Sequence, residues 1–171
     1  MTLKIGDSIS GALFSEDHKY RYSLWRIWDK TKEALLFIGL NPSTASDFKD
    51  DPTIIRLVGF AKGWGFGSIY AGNLRAIVSA NPEILLKPEL FGNISQDVND
   101  QAIKQMSKIC STVLVGWGEW GSKLGSRPDE VIELVGRPLF CLKVNKSGEP
   151  CHPLYLPRDS KLIQYFREVK V

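Results

Sequence analysis

From residue 34 onward, short apolar runs alternate with segments of helical period, and this alternation limits the folds open to the chain more than any other feature. "ALLFIGL" (34–40) is a continuous apolar run of the kind found in strands buried on both faces. Asp51-Pro52 then offers an N-cap and a first-turn proline. Ile54, Ile55, Val58 and Ala61 recur at helical spacing, and "GWGFG" ends the element. "SIYAGNL" (68–74) is the next strand. Ser95 is the expected cap of a helix whose face is Val98, Ala102, Ile103, Met106 and Ile109. "TVLVGW" predicts a strand, "RPDEVIELVG" a helix ending at Gly136, "PLFCLKV" a strand and "RDSKLIQYFREV" (158–169) a final helix. Strands alternating with helices predict a three-layer α/β/α fold with a mostly parallel central sheet. Ahead of them, "SGALFSEDHK" and the aromatic-rich "KYRYSLWRIW" predict an antiparallel hairpin turning near Glu16-Asp17-His18 and placed at a sheet edge.

With 171 residues, no internal repeat and no linker, the expectation is a single domain over 1–171. Hydrophobic residues at 43% and charged residues at 24% fit a soluble globular protein. A net charge of +3, spread along the chain, permits a polyanionic partner without advertising one. Cys110, Cys141 and Cys151 are odd in number and widely spaced, and only two histidines are present. A disulfide framework and a structural zinc site are therefore not expected, and a reducing cytoplasmic setting is. The N-terminal "MTLKIGDSIS" lacks the apolar stretch of a signal peptide, and no run approaches a membrane span.

Ligands of open α/β sheets sit at the carboxyl ends of the strands. That rim should collect Asn41 after the first core strand, Asn73 at the end of the second, Gly116-Trp117-Gly118 at the third, and "NKSGEPCHPLYLPRDS" with His152 after the fourth. Singly, an asparagine after a strand is a turn or cap residue, and a histidine before proline is structural. Their convergence is what a binding site requires.

The motifs also carry a resemblance. "GLNPS", with Gly39, Leu40, Asn41, Pro42 and Ser43, resembles the first signature of the uracil-DNA glycosylase superfamily. "HPLYLP", starting at His152, resembles the second, a His-Pro pair before the last helix, and "YAGNL" places Asn73 where that superfamily reads the base edge. "NPSTA…DDPTIIR…GFAKGWGFG" is similar to a bacterial and phage family described as a domain of unknown function. Ser43 stands where the uracil enzymes have glycine or tyrosine, and Leu154 where they have serine, which points away from uracil. The resemblance implies a uracil-DNA glycosylase-like fold and a monofunctional DNA N-glycosylase that needs no cofactor or metal. It further implies a monomer acting on double-stranded DNA, and a phage-linked modified base such as hydroxymethylated or glucosylated cytosine, removed in anti-phage defence.

Hydrolysis of a base–sugar bond builds negative charge on the departing base, so the enzyme must expose the base, stabilise its anion and position a water. On that scheme Asn41 holds the water, His152 donates to a base oxygen, and Asn73 pairs with the base edge. Asp51 is either a helix cap or the base that activates the water, a role equally open to Asp50. Arg56 either binds a phosphate or pairs with Asp50. Leu154 or Tyr155 is a candidate wedge filling the vacated stack, with Arg158 on a phosphate; Leu154 and Leu156 can equally pack as core. Trp117 and Trp120 read as core residues of a glycine-rich turn or as stacking platforms, while Trp64 and Phe66 read as core. Two alternatives remain: a hydrolase of free modified nucleosides or nucleotides, which the modest charge favours, and a non-catalytic reader of modified DNA.

Overall fold

The computed structural model describes residues 2–168. A seven-stranded sheet runs in the order β1-β2-β4-β3-β5-β6-β7. Its strands are β1 (Ser10–Phe14), β2 (Arg21–Ile27), β3 (Ala34–Gly39), β4 (Ser68–Asn73), β5 (Thr112–Val115), β6 (Leu139–Cys141) and β7 (Ile163–Tyr165). The central strands β4, β3, β5 and β6 are parallel, and the marginal pairings, β1 with β2, β2 with β4 and β7 with β6, are antiparallel. Three α-helices complete the fold: α1 (Pro52–Gly63), α2 (Asn93–Ile109) and α3 (Arg127–Val135).

The three layers follow from side-chain alternation along β3. Leu35 and Phe37 join Ile54, Leu57 and Phe60 of α1 in one core. Leu36 and Ile38 face Ala102, Ile103 and Met106 of α2 and Val131 of α3 in the other. Each fully buried leucine or isoleucine contributes about 1.5–3 kcal/mol. α2 sits so close that a Cβ on Gly72 would lie 2.8 Å from the Met106 methyl. β3 leads through α1 to β4 on one side, whereas β5 leads through α3 to β6 on the other. The strand order therefore reverses between β3 and β5, and a crevice opens at their carboxyl ends.

The hairpin forms as the sequence predicts, with Ser10 paired to Arg26 and a turn at Ser15–Tyr20 in which His18 has φ +57°. α1 also starts as predicted, with Asp51 as N-cap, and Gly136 closes α3 in the left-handed conformation. Trp64 and Phe66 are half-buried against the α1-side core.

Two elements depart from expectation. α2 begins at Asn93 with Gly92 as N-cap, and the Ser95 hydroxyl instead donates to the Gly92 carbonyl at 2.8 Å. Ile109 of the expected face is exposed, while Asn99 is buried and donates from Nδ2 to the Asn73 carbonyl at 3.1 Å. The predicted final helix is absent as far as residue 168; Val169, its expected last residue, lies outside the described residues. A turn at Pro157–Ser160 leads instead into β7, where Leu139 pairs with Tyr165 and Cys141 with Ile163. The helical spacing of Leu162, Tyr165 and Phe166 misleads, because only Tyr165 is buried and Phe166 is 74% exposed.

What fixes β7 is a polar latch. Tyr165 packs edge-on to Trp117 at 6.1 Å and donates to the Gly148 carbonyl at 3.0 Å. Arg167 pairs with buried Glu149 and with Asp129 at 2.9 Å, and the Trp117 indole donates to Glu149 at 2.6 Å. Glu149→Gln keeps the shape and one acceptor but removes the charge that Arg167 needs. Urea denaturation should show a loss of about 1.5–3 kcal/mol, with the cost vanishing in an Arg167→Met/Glu149→Gln double variant if the latch is one coupled unit.

Candidate functional site

At the reversal point between β3 and β5 lies a cavity of about 400 Å³, within the range for small-molecule sites. Its wall comes from the β3 end (Gly39 to Ser43), Asn73, the start of α1, Trp117 and Trp120, and the segment His152 to Tyr155. The structure thus brings together the three polar groups expected on the rim, Asn41, Asn73 and His152.

Asn73 pairs in register with Gly39, and a Cβ on Gly39 would stand 3.0 Å from the Asn73 Oδ1 and 2.9 Å from the Phe37 ring. A side chain at position 39 would thus displace the amide that lines the cavity. The Asn73 main-chain carbonyl is held by Asn99, but its side-chain amide forms no protein hydrogen bond among the described residues. Donor and acceptor are both left for a ligand.

His152 opens a 3₁₀ turn, Pro153–Tyr155, and its Nδ1 accepts from the Leu154 N–H at 3.2 Å. An accepting Nδ1 leaves the proton on Nε2, so the neutral ring presents a donor. Burial holds its pKa below the ordinary 6.5, and the charge of Asp51 opposes that shift only in part. The ring stands edge-on to Phe37 at 6.5 Å and tilted to Tyr155 at 5.9 Å.

Asp51 is 8% exposed and takes the cap role foreseen for it while also lining the cavity. Its Oδ1 accepts from the Ile54 N–H at 2.9 Å as the helix cap. Asp50, by contrast, turns to Arg26, with contacts of 2.9 Å from Nε and 2.8 Å from Nη2, and does not line the cavity. The two adjacent carboxylates are therefore not brought into one site. The Asn41 amide donates to the carbonyls of Ser79 at 2.8 Å, Pro42 at 3.2 Å and Ile77 at 3.3 Å. Both its hydrogens clamp the loop after β4, and only Oδ1 remains for a water.

Arg56 neither pairs with Asp50 nor lines the cavity. It lies over the Phe60 ring at 5.2 Å and donates to the Leu156 carbonyl, tying α1 to the His152 segment. Arg158 stands beside it on a separate groove on the outer face of α1. Leu154 and Tyr155 both line the cavity, Tyr155 at 83% exposure, whereas Leu156 packs on the α1-side core. Trp117 is core, and half-buried Trp120 lies under Lys123 at 3.9 Å. Among the described residues no group of three or more His, Cys, Asp or Glu could hold a metal ion, and no helix is long and apolar enough to cross a membrane.

The sequence reading missed Arg21. This β2 residue is 4% exposed and lines the cavity; its Nη1 donates to the Ala45 carbonyl at 2.8 Å, and its Nε is buried without a partner. Burial brings its pKa down to about 10, against the supporting charge of Asp51 and with a smaller push from Arg26. The available signal was an arginine between two tyrosines in a strand covered on both sides. The phase slip at Trp25 hid which way it pointed.

The model of one family, described as a protein of unknown function (DUF1643), matches residues 21–154. The chain belongs to that family. No curated protein and no solved structure matches it. In this DUF1643 member the matched span opens at Arg21 and closes just beyond His152, so it contains the whole wall of the cavity except Tyr155 and leaves out β1 and β7.

Proposed function

We propose that this DUF1643 protein is a uracil-DNA glycosylase-like enzyme that hydrolyses the N-glycosidic bond of a modified base flipped out of DNA. The observation that carries the reading is the pairing, across one cavity, of a neutral His152 with its donor proton on Nε2 and an Asn73 amide with both functions free. Asn73 would pair with the base edge. His152 would donate to a base oxygen as the C–N bond breaks and its electron pair moves onto the base. Water adds to the sugar carbon and gives its proton to Asp51, the one carboxylate lining the cavity among the described residues. Asn41 Oδ1 would orient that water. Tyr155, at the mouth, is the natural wedge for the vacated stack.

Small residues at Ser43, Ser79 and Ala80 leave room beside the base for a substituent, which supports a modified cytosine over a plain one. A role in excising modified bases from phage DNA follows as the corresponding proposal. The test is base release from phage DNA carrying glucosylated hydroxymethylcytosine, the same DNA with plain cytosine, and uracil-containing duplex, each followed by alkaline cleavage. Cleavage of the modified substrate alone is expected. Silence on all three, with folded protein, overturns the reading. One observation favours a second reading: buried Arg21 in the cavity would suit the phosphate of a free modified nucleotide.

A further inference from the structure

We infer that the Arg21 end of the cavity is a subsite for a terminal phosphate, a monoester held between the Arg21 guanidinium and the first turn of α1. It rests on the glycosidase reading only in taking this cavity as the ligand site. Two independent features converge there. One is an arginine removed from solvent, with an unpartnered buried Nε, in the wall of an open cavity. A buried guanidinium is costly unless its donors are satisfied, and a single carbonyl at Ala45 satisfies only one. No carboxylate lies within ion-pair distance of Arg21 among the described residues, although Asp51 supports its charge from farther off.

The other feature is the N-terminus of a twelve-residue helix whose first turn carries no acidic side chain and whose Thr53 and Ile54 line the same cavity. Asp51 caps the Ile54 N–H, and Pro52 has none, so the Thr53 N–H and hydroxyl are the donors left facing the positive helix end. Asp51 is an anion in the same wall, and this selects the ligand. A singly protonated phosphate can offer its P–OH to the Asp51 carboxylate while Arg21 and Thr53 take the ionised oxygens. A sulfate, which has no such proton, would meet the same donors at Arg21 and Thr53 but be repelled by Asp51, and so should bind more weakly.

Depth narrows the source. Arg21 lies in a buried wall shared with Phe37 and Ala71, which an internal phosphodiester, with a sugar on each side, does not readily reach. A terminal phosphate can, whether on a free nucleotide or on a DNA end.

Calorimetric titration of the whole protein at matched ionic strength tests this with four probes: deoxycytidine, deoxycytidine 5′-monophosphate, and one oligonucleotide with and without a 5′-phosphate. Binding at least about tenfold tighter with the phosphate than without it, in either pair, is expected, and the pair that shows it identifies the source. Arg21→Met should abolish the difference. Because loss of a buried arginine can unfold the chain, Thr53→Val serves as the second variant and should reduce the phosphate-dependent gain several-fold. Equal binding with and without phosphate in both pairs, or a gain untouched by Thr53→Val, or by Arg21→Met where that variant folds, overturns the subsite. Base release from modified DNA is read separately, so the glycosidase reading can fail while the phosphate subsite stands, and the reverse.

Discussion

Asp51→Asn is expected to leave the protein folded and to lower base release by about 10²–10⁴-fold, the range for losing a positioned general base. The substitution separates two jobs that one carboxylate performs. As a helix cap, Asp51 needs only an oxygen facing the Ile54 N–H, and asparagine supplies one about as well as aspartate does. As a base it needs to accept the proton of the attacking water, which an amide cannot do. Urea denaturation should therefore place Asp51→Asn within about 1 kcal/mol of the parent, while Asp51→Ala loses a further 0.5–2 kcal/mol or so through the missing cap. Both variants should be equally impaired in single-turnover base release. An Asp51→Asn protein that cleaves at the parental rate would reduce the residue to its cap and return water activation to Asn41 alone. Asp50 does not compete for the role, since its carboxylate is committed to Arg26 and lies outside the cavity.

The sequence made the centre of the fold legible because the central strands are buried on both faces and so read as apolar runs. The Asp51-Pro52 start of α1 was equally clear, since cap and proline sit side by side. Where reading failed, a tertiary contact overrode a local pattern. Leu162, Tyr165 and Phe166 carry helical spacing, yet pairing with β6 and the Glu149–Arg167 latch decide the conformation. The site divides in the same way. Asn73 and His152 were visible because strand ends and His-Pro turns are marked in sequence. Arg21 was not, because its importance comes from the burial of its strand against β4 and from the loop at Ala45. Asp50 and Asp51 show the limit of proximity in sequence: neighbouring carboxylates at a helix start point to different partners.

The second large effect belongs to His152. His152→Ala should lower the rate of base release about 10²–10³-fold with little change in binding, as expected of a donor whose bond strengthens only when charge reaches the leaving group. The tautomer determines how that rate depends on pH. The donor proton is on Nε2 and Nδ1 accepts from Leu154, so the working ring is neutral. Protonation would place a second proton on Nδ1, break the bond from the Leu154 N–H and charge a group that burial keeps neutral. The folded pKa is thus below 6.5, and the contribution of His152 to both stability and rate is complete above 6.5 and lost as pH falls through that lower value. Single-turnover rates should stay level from about pH 8 to pH 6.5 and decline only below it. His152→Asn, which retains a side-chain oxygen to cap the Leu154 turn, should remain folded, keep a fraction of the rate and lose the acid decline. A parental acid limb in that variant would move the titration to another group. A rate that rises as pH falls from 7 to 6 would mean that the charged imidazolium is the working donor, and the neutral-ring mechanism would be wrong.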